Sequence, residues 1–369
     1  MMDFASDPIS IIVDDLGTLD EQLESLPAGS AIYSLWAREG KPLLGRTSVL
    51  RRRMKRLLRE RTGSSRLLNL RSVVRQIDYW PVASRLESSL VFYDVTRRFE
   101  PDTYLETIKL RMPPYVKLLL GNRFPRTTVT SRLSASGFHY GPFRTRATAE
   151  YFEQELLDLF QVRRCQEDLE PSPEHPGCMY GEMNRCLRPC QGVVNEVEYA
   201  SEVQRLRSFL ETEGHSLVQI HEAARERFSS EMEFEEAARQ HRRIEKIGEV
   251  LKLRDDLVRE VDQLNGIAVM KAVESGSVTL LFVKSGALCP LAVLPVHQAV
   301  EQSVSLDARL RELVESARPL QETGRERQEH LALVARWFYS SWRDGEWIFV
   351  NRPDKFPYRK LVGAISRMA

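Results

Sequence analysis

Four of the five cysteines in this 369-residue chain lie within 26 consecutive positions, at Cys165, Cys178, Cys186 and Cys190. Twelve, seven and three residues separate them. Thiols crowded in this way admit three arrangements: two disulfides, one tetrahedral metal site, or an iron–sulfur cluster. Zinc sites usually come as two Cys-x2-4-Cys knuckles. Here there is one short pair, Cys186 and Cys190, and two isolated thiols. Loose, unequal spacing beside Pro189 suits an iron–sulfur site at least as well. Residues Met1 to Gly17 hold four aspartates and no basic residue, so they do not read as a signal peptide. No apolar run approaches the roughly 20 residues of a membrane span. A cytoplasmic setting with no membrane partner is therefore expected, and in a reducing compartment clustered cysteines are more often metal ligands than disulfides. His175, three residues before Cys178, is a possible further donor, although loop histidines are usually just exposed. Cys289 stands alone in an apolar stretch and reads as a small buried hydrophobe.

The length allows two or three domains. A net charge of +1 says nothing about nucleic acid, but the distribution of charge does. Ala31 to Trp36 reads as a strand, Glu39-Gly40 as a turn and Pro42 to Gly45 as a second short strand, which makes a β-hairpin. A helix follows from about Ser48, with Leu50, Met54 and Leu57 spaced i, i+4, i+7. Arg51, Arg52, Lys55, Arg56 and Arg59 point away from that stripe. Arg53 lies about 60° from its centre, at roughly 100° per residue. Between Arg46 and Arg75 there are eleven basic residues and one acid, Glu60. Such density is the electrostatic footprint of a phosphate backbone, the alternative being a solvated charged face.

Ala31-Ile-Tyr33, then Leu43-Leu-Gly45, then Arg53, resembles a GIY-YIG nuclease domain. The resemblance implies roles in phosphodiester hydrolysis, where a pentavalent anion must be stabilised and a water activated. Tyr33 matches the tyrosine of the first motif and would prepare the water. Arg53 matches the helix arginine and would neutralise the phosphate. Glu106, within Thr103 to Arg111, matches the glutamate that holds one divalent metal, magnesium or manganese. The match is partial. Leu43 and Leu57 stand where the family has tyrosines, Arg46 where it has a lysine, and Val116 where it has an asparagine. Leucine has no ionisable group, and an arginine binds phosphate but is a poor base. Taken singly, Glu106 would pair with Lys109 at i+3, and Tyr33 would be a half-buried strand tyrosine.

The order continues with Phe138-His-Tyr-Gly-Pro-Phe143. An amphipathic helix over 147–160 follows, with Phe152, Leu156 and Leu159 or Phe160 on one side. Then come Arg164-Cys165, Gly177-Cys178, Asn184-Arg-Cys186 and Arg188-Pro-Cys190-Gln-Gly192. This order resembles the UvrC family, and it implies that the four cysteines hold a four-iron (4Fe-4S) cluster, with zinc as the alternative. Helices are predicted over 196–211 and 215–228. A longer one opens near Met232, with Phe234, Ala237, Ala238, Ile244, Ile247 and Leu251 on its apolar face. Glu233-Phe234-Glu235-Glu236-Ala237-Ala238-Arg239 resembles the UVR motif, the helical hairpin through which UvrB and UvrC pair. It departs from the motif at Gln240-His241-Arg242. Strands are predicted at Gly266–Met270, Val278–Val283, Leu291–Val296 and Glu346–Val350, and helices over 306–317 and 327–337. The RNase H-like nuclease and helix-hairpin-helix segments of the family are not apparent.

The expected fold is α+β and multidomain. It comprises a leader (1–26), a GIY-YIG-like α/β domain (27–116), a Cys-rich cluster-binding region (117–195), a helical UVR hairpin (196–259) and a C-terminal α/β domain (260–369). Three functions fit this order. One is a UvrC-like incision of damaged double-stranded DNA in a complex with UvrB. Another is an inactive accessory that binds UvrB and DNA. The third is an iron–sulfur DNA-binding protein with no link to UvrB.

Overall fold

A computed structural model of the chain describes residues 3–60, 69–134, 137–296, 305–350 and 356–369. Arg61 and Arg66 of the basic stretch lie outside the described residues. The chain is mixed α and β, with three separate sheets among those residues. It divides into two compact units, and neither is continuous in sequence.

The first unit opens with β1 (Ile9–Ile12), α1 (Leu19–Ser25), β2 (Ala31–Trp36), β3 (Leu43–Thr47) and α2 (Leu50–Leu57). It continues with α3 (Leu70–Val73), β4 (Gln76–Pro81), α4 (Arg85–Phe99) and α5 (Tyr104–Ile108). The four strands form an antiparallel sheet in the order β1-β4-β2-β3. Strand residues alternate between faces. Ala31, Tyr33 and Leu35 pack with Leu50, Met54 and Leu58, whereas Arg46, paired with Ile32, reaches Phe92 of α4 on the other face. The second strand of the hairpin begins and ends later than the pattern suggests, because its ladder with β2 runs on to Thr47. A capping box at Ser84 and Glu87 starts α4. Residues of the 3–26 stretch contribute to this layer. β1 adds the edge strand beside β4, α1 buries Leu19 and Leu23, and the Asp94 carboxylate accepts the Phe4 and Ala5 amides.

The second unit holds β5 (Tyr115–Leu118), β6 (Thr127–Thr130), β7 (Phe138–Gly141), α6 (Arg146–Leu157), α7 (Met179–Glu182), α8 (Glu196–Glu211), α9 (His215–Ser230), α10 (Phe234–Lys252) and β8 (Arg259–Glu260). Its sheet runs β6-β5-β7-β8. Phe143, Phe152, Tyr199, Phe209, Ile247 and Val250 share one core. α9 and α10 form a hairpin whose turn places Met232 at positive φ. On α10 the buried residues are Gln240, Ile247 and Val250, and Phe234 is 68% exposed. This corrects the expected apolar face, because Phe234 stands at the open tip of the hairpin, beyond the core. Gln240 is buried in the seam instead, with its Oε1 2.8 Å from Nδ1 of His221.

The remaining elements are β9 (Gly266–Lys271), β10 (Ser277–Lys284), β11 (Ala287–Leu288), β12 (Ala292–Pro295), α11 (Leu306–Ser316), α12 (Gly324–Phe338), β13 (Glu346–Phe349) and α13 (Tyr358–Met368). The sheet order is β11-β10-β9-β13, with β12 also on β10, and all of these strands belong to the first unit. Cys289, 1% exposed, lies in its core with Leu310, Leu361 and Ile365. α13 carries the last two and is docked by a two-pronged Arg367–Glu346 pair at 2.6 and 2.7 Å. α12 contributes its residues up to Ala335 to the second unit and the rest to the first. No described helix is long and apolar enough to cross a membrane.

Candidate active site and cysteine cluster

The hairpin and the basic helix bring two of the expected site residues together. Tyr33 faces Gly45 across the β2–β3 ladder, and its ring lies over that glycine. A methyl group at position 45 would sit 2.4 Å from the Tyr33 oxygen. α2 turns Leu50 and Met54 into the core. Arg53, at the margin of that stripe, therefore reaches inward, and its Nε donates to Tyr33 Oη at 3.1 Å. Arg53 forms no ion pair with any described residue, so its remaining N–H groups are available to an anion.

The other expected residues fall elsewhere. Arg46 lies on the opposite face, with its Cζ 5.6 Å from the Phe92 ring centroid. Glu106 is exposed on α5. That helix packs on α4 through the Tyr93 and Tyr104 rings, 5.8 Å apart. Among the described residues the Glu106 carboxylate has no hydrogen-bond partner. The expected pairing with Lys109 does not form, because the helix stops at Ile108 and Lys109 takes a left-handed backbone. Leu43, on the outer strand, is 46% exposed, and Leu57 packs against the core. Two residues went unnoticed in the sequence. Tyr79 stands directly opposite Tyr33 on β4, with a phenol that burial pushes up. Arg336, from α12, donates to the Ile108 carbonyl at 3.1 Å.

The basic patch is smaller than the count of charges suggests. Arg51 Nε donates to the Leu26 carbonyl at 2.7 Å, and Lys55 pairs with Glu24. Arg71 is internal. Its guanidinium grips both oxygens of Asp20, at 2.8 and 2.9 Å, and also the Leu58 and Leu16 carbonyls. Arg75 bonds its own turn at the Ser72 and Val74 carbonyls. Arg52, Arg56 and Arg59 stay exposed and form no ion pair with a described residue.

In the second unit the four clustered cysteines are unpaired thiols. Cys186 and Cys190 are buried, Cys165 is half-buried and Cys178 is exposed. Burial pushes the Cys186 thiol up to about 11, and the charges of Cys165, Cys178 and Cys190 add to the effect. Burial also raises Cys190, with further contributions from Cys178 and Cys165. The four sulfurs thus share one neighbourhood. Among the described residues, however, no group of three or more His, Cys, Asp or Glu side chains closes to metal-holding distance. Arg163, 2% exposed, braces the region. Its guanidinium donates to the Phe124 and Glu167 carbonyls at 2.9 and 2.8 Å and approaches Cys165 Sγ at 3.5 Å. His175 accepts the Gly177 amide on Nδ1 at 3.0 Å, so that nitrogen is engaged by its own loop.

Comparison with known proteins bears on this arrangement. Residues 114–209, from the first strand of the second unit through most of α8, match the family described as UvrC/Cho excinuclease, middle domain. Similar curated proteins are each named UvrABC system protein C. One, from Dehalococcoides mccartyi, is 24% identical over 277 residues, covering 73% of this chain and 45% of the relative. One from Acetivibrio thermocellus is 22% identical over 364 residues, covering 95% and 57%. One from Christiangramia forsetii is 25% identical over 308 residues, covering 81% and 50%. The chain spans about half the length of the curated relatives it matches. No solved structure matches it. The middle-domain match and these relatives together make the chain similar to UvrC-type proteins along most of its length.

Proposed function

We propose that this protein works in nucleotide excision repair, hydrolysing a phosphodiester of damaged double-stranded DNA within a complex with UvrB. The observation that carries the reading is the Arg53–Tyr33 bond, 3.1 Å long, held over Gly45 at the margin of the small sheet. It sets a guanidinium with spare donors beside a hydroxyl, on the same helix as the exposed Arg52 and Arg56, with the exposed Arg59 two residues beyond that helix's end. Arg53 binds the non-bridging oxygens as negative charge grows on the phosphorus. The Tyr33 hydroxyl, fixed by the arginine it accepts from, orients the attacking water. Glu106, a lone carboxylate without a partner, suits one magnesium or manganese ion, which when bound would polarise the phosphate. DNA is drawn in by Arg52, Arg56 and Arg59, through release of counterions from its backbone.

Cys165, Cys178, Cys186 and Cys190 fit a 4Fe-4S cluster, or zinc, by their chemistry. They are four unpaired thiols in one neighbourhood, two of them in surroundings where a bare thiolate is costly and a cation offsets the cost. Such a group supplies cross-links within the loop rather than catalysis. The α9–α10 hairpin suits UvrB, since Phe234, Glu235, Ala238 and Arg239 are exposed and Ala237 partly so. A second reading, an inactive accessory that keeps DNA and UvrB binding, is favoured by Leu43. That side chain is exposed at the strand edge and can move no proton.

One experiment separates the readings. The protein is incubated with UvrA, UvrB, a lesion-bearing duplex and magnesium or manganese. A nick that Glu106→Ala abolishes supports the nuclease. Retention on the UvrB–DNA complex without a nick supports the accessory. Absence of retention overturns both.

A further inference from the structure

α6 turns Ala149, Phe152 and Leu156 into the core of the second unit. A second stripe on the same helix, Glu150, Glu153, Gln154 and Leu157, has i, i+3, i+4, i+7 spacing. It lines a cavity of about 400 Å³. Another wall is α7 and the residue after it, which bring Met179, Tyr180 and Met183 to the same space. Arg164 also borders it, with its Cζ 4.9 Å from the Tyr180 ring centroid. Packing within the unit does not account for these groups. Met179 and Met183 are 61% and 53% exposed, so two apolar thioethers flank the cavity instead of joining the core. Neither the Gln154 amide nor the Tyr180 hydroxyl has a hydrogen-bond partner among the described residues. Thr127 donates to Glu153 and so holds that carboxylate in place. Asp158 takes the charge of both Arg164 and Arg185. Ligand pockets run from about 300 to 1,000 Å³, so this one suits a single ring system and excludes a duplex.

We propose that this cavity, between α6 and the α7 turn, takes one unpaired nucleobase that carries an exocyclic amino group. Unpaired bases are held by stacking on aromatic rings and arginine planes, with hydrogen bonds to the base edge. Tyr180 and Arg164 supply the ring and the plane. Met179 and Met183 add polarisable surface that adapts to the base. Glu153 and Gln154, on the opposite wall, face the edge. An ionised carboxylate only accepts, so it suits the amino groups of adenine, cytosine and guanine better than the carbonyl-flanked edge of thymine. Arg185, 44% exposed at the rim, meets the phosphate. All these residues belong to the second unit, so the pocket is complete within it. Two sources share this chemistry, a free nucleotide and a base of an unpaired DNA strand. The second source rests on the DNA-binding reading above; the pocket itself does not.

The test uses the full chain, purified anaerobically, and two kinds of probe. Free dAMP, dCMP and dTMP are titrated separately. A DNA bubble and the matching paired duplex each carry 2-aminopurine, a fluorescent base with an exocyclic amine. The wild type should bind dAMP and dCMP about tenfold more tightly than dTMP, the effect of one hydrogen bond to a charged group. Glu153→Gln should erase that preference, because an amide donates as well as accepts. Met179→Ala combined with Met183→Ala changes only exposed side chains, which guards against misfolding, and should weaken every nucleotide about tenfold through lost stacking. Fluorescence of the bubble should change on binding, and that of the paired duplex should not. A response to free nucleotides alone, in protein that binds the bubble, assigns the free nucleotide as the source. Nucleotide binding with no DNA binding keeps the pocket and overturns the DNA reading. No saturable binding of any nucleotide and no fluorescence change in the bubble, or responses that both variants leave intact, would overturn the proposal, whatever the nicking assay shows.

Discussion

Replacing Gly45 with alanine tests how the Tyr33–Arg53 pair is held. A methyl group there would lie 2.4 Å from the Tyr33 oxygen, 2.5 Å from Cζ and 3.0 Å from Cε1. Tyr33 is 2% exposed and packed among Leu50, Met54 and Tyr79, so its ring has no open direction in which to retreat. Overpacking of this kind costs about 1–3 kcal/mol. Losing the hydrogen bond adds about 1 kcal/mol, since the partly exposed Arg53 regains water. An unstrained Gly→Ala change would instead stabilise by about 0.4–1 kcal/mol through the unfolded chain, so the sign alone is informative. A net loss of about 3 kcal/mol corresponds to a fall in Tm of roughly 6–12 °C for a unit of this size. Tyr33→Phe, which removes only the hydroxyl, should cost about 1 kcal/mol. The pair Gly45→Ala with Tyr33→Ala should be strongly non-additive, because the truncated side chain leaves room for the methyl. Thermal melts of the four proteins, read beside nicking of the lesion duplex, provide the measurement. A Gly45→Ala protein that melts with the wild type and nicks at the same rate would mean that the Tyr33 ring does not lie over Gly45.

Two further outcomes are expected. The Arg71 guanidinium holds the Asp20 carboxyl below its ordinary range, so this pair contributes stability above the unfolded carboxylate value and loses it as pH falls through the folded one. An acid titration of the folded signal should therefore steepen in the wild type and flatten in Asp20→Asn; identical curves would remove the pair from the acid response. If the four clustered thiols hold iron and sulfur, anaerobically purified protein should carry a broad visible absorption that Cys186→Ala removes. Colourless protein with stoichiometric zinc would assign zinc instead.

Much of the scaffold was legible from local pattern. α8 runs from Glu196 to Glu211, the span predicted for it. β9, β10 and β13 fall within a residue or two of the apolar runs that suggest them. The grouping of the four cysteines was visible because it is a matter of spacing along the chain. So was the place of Arg53, since an offset of about 60° from an apolar stripe is a property of one helix. What the sequence left open depends on partners far away in it. Arg71 looked like one more charge of a basic patch, and only folding showed Asp20, 51 residues earlier, closing on it. β1 and α1 looked like a leader, because an edge strand needs its neighbour β4 before it has any structure. Arg46 and Tyr33 looked like parts of one site, and strand alternation in the assembled sheet sends them to opposite faces. Arg336 had no local signal at all. Periodicity and turn chemistry act over a few residues, whereas charge pairing and burial are decided by which surfaces meet, and only the tertiary structure brings those together.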